Sequence, residues 1–178
     1  MIFNQASLPD VFLIKSEPQS DSRGSFTRTF CAEEFKKHNL ETHFVQANIS
    51  KNVHAGTVRG IHFQNAPHAE VKIVSCIVGS IYDIVVDIRK HSATYLKSFG
   101  AELSADNGLM MYVPCGFAHG YQALNDGAAV HYLVSEFYAP SAEGGLRYND
   151  PAIGIQWPLL VSCVSVKDAN WPLIKNSY

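Results

Sequence analysis

Short apolar runs broken by turn residues recur along this chain. The clearest is residues 71–89, which read VKIVSCIV, then Gly79-Ser80, then IYDIVVDIR. Two β-branched runs separated by Gly-Ser predict a pair of strands joined by a two-residue hairpin, with a type II′ turn. In that register Val78 opposes Ile81, Cys76 opposes Asp83 and Lys72 opposes Asp87. Side chains alternate along a strand, so Lys72, Val74, Cys76, Val78, Ile81, Asp83, Val85 and Asp87 share one face. Val71, Ile73, Ile77, Tyr82, Ile84, Val86 and Ile88 share the other, and this almost wholly apolar set is the expected core face. The first face mixes apolar residues with a lysine and two aspartates, which suits the lining of a barrel interior that binds something polar.

Further strands are predicted at 43–49, 59–64, 110–113, 119–124 and 128–138. One short helix is predicted at 32–38 (AEEFKKH), and a second after Asp168. Short strands with turns between them indicate a sandwich or barrel, so the expected fold is all-β and mainly antiparallel, with short peripheral helices. At 178 residues, with no repeat or linker, the chain is expected to form one domain over 1–178.

Composition changes the picture in three ways. Hydrophobic residues make up 47%, which excludes intrinsic disorder. The net charge of -2 provides no basic footprint for nucleic acid or an anionic membrane. No apolar run approaches a membrane span, and Met1–Ala6 lacks the start of a signal peptide, so the expected compartment is the cytoplasm. Cys31, Cys76, Cys115 and Cys163 form no CxxC, so neither a zinc site nor a redox pair is indicated, and Cys76 reads as a small buried hydrophobe. Only 17% of residues are charged, against about 25% in ordinary domains. Either the surface is rich in uncharged polar groups, or part of it is covered by another chain.

Four clusters hold the candidate chemistry: Arg59-Gly60-Ile61-His62-Phe63-Gln64, Glu70-Val71-Lys72, Pro114 through Tyr121, and Tyr132 through Tyr138. Together with Asp21-Ser22-Arg23-Gly24-Ser25-Phe26, Phe44 through Ser50, Val85 through Arg89, Leu103 through Asn107, Glu143-Gly144, Asn149-Asp150, Ile155-Gln156-Trp157-Pro158 and Val166-Lys167-Asp168, they match one family in order and spacing. The chain resembles the dTDP-4-dehydrorhamnose 3,5-epimerase family, a branch of the cupin jelly rolls.

That resemblance implies a cupin-type antiparallel jelly roll and a reaction without redox or metal cofactor. A nucleotide-diphosphate 4-keto-6-deoxy sugar is inverted at C3 and C5, whose protons are acidified by the C4 ketone. It implies that His62 is the base, since imidazole titrates near neutral pH. Asp168 is implied as the carboxylate that orients His62, with Asp83 as a rival for that part. Lys72 is implied to stabilise the enolate oxygen and Tyr132 to be the acid on the other face of the sugar. Arg23, Arg59 and Lys167 are implied to hold the diphosphate. His119 and Glu143 match sugar or phosphate contacts, and Gln46 and Asn48 match nucleotide contacts. Tyr138 would stack on the base, with Phe26 covering its other side. The family's dimeric habit implies a homodimer that lends N-terminal residues, Arg23, Phe26 and Arg28, to the partner's pocket.

Two positions depart from the family pattern. Arg28 stands where a Glu is usual. Arg only donates, so it would suit the N3 acceptor of cytosine better than the N3–H of thymine. The competing reading leaves Arg28 in solvent and thymine held by other contacts. Glu70 stands where Gln is usual and puts a negative charge near Lys72. A metal-dependent cupin using His62, Glu70 and His119 is the rival function class, although Lys72 would repel a cation there.

Overall fold

Each sheet of the protein joins segments that are distant in sequence. This computed structural model describes residues 1–174. Strands β1 (Ile2–Gln5), β2 (Phe12–Lys15), β10 (Leu109–Val113), β7 (Lys72–Val78), β12 (Ala129–Val134) and β5 (Gln46–Lys51) form one six-stranded sheet in that order. Strands β13 (Glu143–Gly145), β6 (Val58–Gln64), β11 (Phe117–Ala123), β8 (Ser80–Asp87) and β9 (Ser98–Ser104) form a five-stranded sheet. A small hairpin, β3 (Gln19–Asp21) and β4 (Gly24–Phe26), stands apart from both. All strand pairs in these sheets are antiparallel. From β5 to β12 the chain changes sheet at every connection except β8 to β9, which is the winding of a jelly roll. Helices α1 (Ala32–Lys37) and α2 (Val166–Ala169) are peripheral. No helix among the described residues is long and apolar enough to cross a membrane.

The expected 71–89 hairpin does not form. Strand β7 pairs with β10 and β12, while β8 pairs with β11 and β9, so the two runs lie in different sheets. Gly79, with φ of 71°, carries the chain from one sheet to the other rather than turning it back. The crossing is held by contacts from outside: Asn125 Oδ1 accepts from the Ser80 N–H at 2.9 Å, and the Ala105 N–H donates to the Gly79 carbonyl at 3.0 Å. Lys72 therefore pairs with Val113 and Val134, not with Asp87.

The alternation along each run survives this correction, but the assignment of the core face does not. Val74, Cys76, Ile81 and Val85, from the mixed face, pack in the central core between the sheets with Met111, Val113, Phe117 and Val130. The apolar face splits into two outer layers. Val71 and Ile73 lie with Ile14, Met110 and Tyr112 under Phe35 of α1. Ile84 and Val86 lie with Ile61 and Ala118 under Leu146, Ile153, Ile155 and Trp157 of the C-terminal segment. Both surfaces of each sheet are covered, so an apolar face here marks a shielded exterior as readily as the center.

Boundaries shift modestly from expectation. The strand expected at 43–49 begins at Gln46, and the one expected to reach residue 138 ends at Val134. The second helix contains Asp168 instead of following it. The N-terminal strands and β9 were not anticipated.

Strands β6 and β11 approach closely at Gly60. Its φ is 109°, and a Cβ there would meet the Gly120 Cα and the His119 carbonyl oxygen at 2.7 Å. Only a glycine fits both the backbone conformation and the space. The same contact brings His62 and His119 into register as neighbours, with a bulge between His119 and Tyr121. Gly60→Ala is expected to lower the free energy of unfolding by roughly 1–3 kcal/mol, read from chemical denaturation. An unchanged midpoint would contradict this account of the β6–β11 contact.

Candidate active site

One open end of the jelly roll holds two adjoining cavities of about 490 and 410 Å³ that share His62, Lys72 and Tyr132 in their walls. The five-stranded sheet supplies His62 and Arg59 from β6 and His119 from β11. The six-stranded sheet faces them with Lys72 from β7, Tyr132 from β12, and Gln46 and Asn48 from β5. Asn48 and Tyr132 are register partners, as are Gln46 and Val134. The segment around α2 closes the larger cavity with Ser165, Lys167 and Asp168.

His62 and Asp168 form a tight pair, Nε2 to Oδ1 at 2.5 Å. The imidazole is about one third exposed (31%) and the carboxylate nearly buried (5%). The other carboxylate oxygen accepts from the Gly60 N–H at 3.4 Å, and the Asp168 N–H donates to Ser165 Oγ, the N-cap of α2, at 3.0 Å. Burial pushes the Asp168 carboxyl up, but the bonds and charge of His62, with help from Ser165 and Gly60, outweigh it and hold it below the ordinary carboxylate value.

Asp83 does not touch His62. It is fully buried, and its Oδ1 bonds His119 Nε2 at 2.7 Å while Oδ2 has no partner. Burial holds its carboxyl above the ordinary value against the opposing pull of His119 and Lys72. Asp168 thus occupies the place for which the two aspartates were rivals, and Asp83 supports a second imidazole beside the first.

Tyr132 has a phenol raised by burial, and secondarily by Tyr121 and Glu70. It therefore stays protonated at neutral pH. Lys72 Nζ lies 3.0 Å from Glu70 Oε1, with both side chains mostly buried. Arg59 is fixed by Asn52 Oδ1 at 2.8 Å and the Lys51 carbonyl at 3.0 Å. At the mouth, Glu143 accepts from Lys167 Nζ at 2.6 Å and from the Tyr138 hydroxyl at 3.1 Å. Burial raises the Glu143 carboxyl, and these two bonds more than reverse that. Gln46 Oε1 accepts from the Tyr138 N–H at 2.9 Å.

Three expected site residues are not in this cavity. Arg23 pairs with Asp21 on the exposed β3–β4 hairpin, and Phe26 is 70% exposed. Arg28 lies 3.3 Å from Glu34, whose other oxygen holds the N-terminal amine at 2.9 Å. His62, Glu70 and His119 are engaged by Asp168, Lys72 and Asp83 respectively, and no group of three potential ligands converges among the described residues.

Asn52 and Ser165 lie outside the clusters that the sequence singles out, and Tyr121 lies within one but without an assigned role. The Tyr121 hydroxyl donates to Ser50 Oγ at 2.9 Å from the cavity wall. Asn52 anchors Arg59, and Ser165 caps α2. Ser165-x-x-Asp168 is a legible capping signature. Asn52 carries no such signal.

A family model described as dTDP-4-dehydrorhamnose 3,5-epimerase matches residues 5–176. The chain is 41% identical over 173 residues to a dTDP-4-dehydrorhamnose 3,5-epimerase of Sinorhizobium fredii, covering 97% of this chain and 89% of that one. The crystal structure of such an epimerase from Elizabethkingia anophelis superposes with a TM-score of 0.94 at 38% identity, covering 99% of this chain and 98% of the other. A Legionella pneumophila dTDP-6-deoxy-D-glucose-3,5-epimerase in complex with dTDP-4-keto-L-rhamnose gives a TM-score of 0.91 at 32% identity, over 97% and 92% of the two chains.

The lowered Asp168 carboxyl sets a pH dependence. A carboxylate depressed in the folded state contributes stability that is complete above its unfolded pKa and is lost as pH falls through its folded one. The stability advantage of the wild type over Asp168→Asn is expected to shrink as pH is taken below about 4, read by denaturant unfolding at a series of pH values. An advantage that grows in this acid range would contradict the assignment.

Proposed function

This chain belongs to the dTDP-4-dehydrorhamnose 3,5-epimerase family, and we propose that its cavity inverts C3 and C5 of a dTDP-linked 4-keto-6-deoxy sugar in deoxysugar biosynthesis. The observation that carries the reading is the placement of His62 and Tyr132 on opposing walls of one cavity, each on a different sheet. Inversion needs a proton removed from one face of the sugar and another delivered to the opposite face. A base and an acid on the same wall could not do both.

His62 takes the proton from the carbon next to the ketone, and the electron pair moves into the C4 carbonyl to give an enolate. Asp168 holds the imidazole in orientation and compensates the charge it gains. The Lys72 ammonium receives the charge that develops on the C4 oxygen. The Tyr132 phenol then gives its proton to the other face of the carbon, and the C4 carbonyl reforms. His62 leaves this half-reaction protonated and Tyr132 leaves it as phenolate, so both are reset by exchange with solvent before the second carbon is inverted.

Arg59 and Lys167 supply the charge for a diphosphate at the mouth, beside His119. Gln46, Asn48, Tyr138 and Glu143 form the continuation toward the nucleoside. Arg23, Phe26 and Arg28 act from the partner of a homodimer. Support for this comes from the β3–β4 hairpin, which carries Arg23 and Phe26 exposed and away from its own cavity. Exposed Ile2, Ile49 and Ile77 on strands of the six-stranded sheet suit the same contact. Arg28, paired with Glu34 at 3.3 Å, lends charge at the edge of the partner's pocket rather than reading the base, and thymine is held by other contacts. The enzyme works in the cytoplasm, where nucleotide sugars are made.

Proton NMR in D₂O with dTDP-4-keto-6-deoxyglucose tests the reaction directly, with deuterium expected at C3 and C5 together with inversion. His62→Ala should slow uptake at both positions by about 100- to 10,000-fold; near-normal uptake would remove His62 as the base. Tyr132→Phe should reduce net inversion more than exchange, because the first deprotonation survives. For the assembly, sedimentation at micromolar concentration should give a dimer, and a monomer would return Arg23 and Phe26 to the solvent.

A further inference from the structure

Glu70 has no part in the mechanism above, yet it sits in the cavity wall. It lies two residues before Lys72, just ahead of β7, and both side chains line the same cavity. Their charged ends are 3.0 Å apart, and the side chains are only 12% and 13% exposed. A carboxylate beside the group that stabilises an oxyanion looks unhelpful, because it offsets part of the ammonium's charge. What it supplies is position. A lysine ammonium rides on a flexible four-carbon stem and must be held in one rotamer to act at a fixed point. Without Glu70 beside it, the ammonium would be free to leave the position it holds in the cavity wall.

Resting on the epimerase reading, we propose that Glu70 is a positioning residue for the reaction: its carboxylate pins the Lys72 ammonium at the cavity wall across from His62, where the C4 oxygen of the sugar arrives. Glu70 need not touch the reacting atoms. Its contribution is that Lys72 is in place before the enolate forms, and preorganised charge is worth more than charge that must first be recruited.

The test compares wild type, Glu70→Ala and Glu70→Gln in D₂O with dTDP-4-keto-6-deoxyglucose, following exchange by NMR and folding by thermal melt. Glu70→Ala should exchange about 10- to 100-fold more slowly at saturating substrate, with KM changed much less than kcat. Glu70→Gln keeps an oxygen that accepts from Nζ and should recover most of that loss. A merely structural Glu70 would lower the melting temperature and the active fraction together, and its loss would disappear once exchange is expressed per folded enzyme. Exchange by Glu70→Ala within about twofold of wild type, well inside the 10- to 100-fold loss expected of misplacement, overturns the proposal. So does a Gln variant no better than Ala, or a loss confined to KM. Wild type that fails to exchange at all would instead sink the epimerase reading on which the proposal stands.

Discussion

Charge taken out of water between two sheets must be paired, and the polar end of this jelly roll is organised around that constraint. An isolated buried ion is strongly unfavourable, and removing one member of a buried pair leaves the other uncompensated. Three such pairs surround the cavity: His62 with Asp168, His119 with Asp83, and Lys72 with Glu70. In the two histidine pairs the carboxylate lies deeper than the imidazole, so the ring is held from behind and its face is left to the cavity. The same bonds that make burial tolerable therefore fix the direction of the functional groups. The rest of the interior is apolar and rigid, with Val74, Ile81, Val85, Met111 and Val130 setting the distance between the walls.

Much of the fold was legible from alternation alone. The mixed face of residues 71–89 does line the interior, because alternation is a property of each strand and not of its partner. What alternation does not contain is the choice of partner. Gly79-Ser80 has the composition of a tight hairpin, but it connects different sheets because β10, β12, β11 and β9 compete for the edges of β7 and β8 and win. The decisive contacts at the crossing come from Ala105 and Asn125, far along the chain. Of the site, His62, Lys72, Tyr132 and Asp168 were legible only as motifs matching a family, since each residue type is unremarkable in a strand or loop. The choice between Asp168 and Asp83 needed the fold, because both aspartates end near histidines and only geometry says which.

Winding between the sheets also explains how one short chain opposes an imidazole and a phenol. Strands β6 and β12 lie in different sheets: β12 pairs with β7, and β6 is one strand removed from β8. Apolar layers cover part of the outer face of each sheet.

Asp168 is 106 residues from His62, and nothing local joins them. The C-terminal segment docks on β6 step by step: the Ser162 N–H donates to the Gly56 carbonyl at 3.1 Å, the Val58 N–H donates to the Cys163 carbonyl at 2.8 Å, and Ser165 then caps α2. Each contact narrows the freedom of the next, so that by Asp168 the carboxylate meets a ring whose own strand is pinned by Gly60 against β11. Loop-closure entropy over such a separation is considerable, and it is met by packing Leu146, Ile153, Ile155 and Trp157 onto the outer face of the five-stranded sheet. The orientation of the His62 ring is thus a consequence of apolar burial on the opposite side of the sheet that carries it.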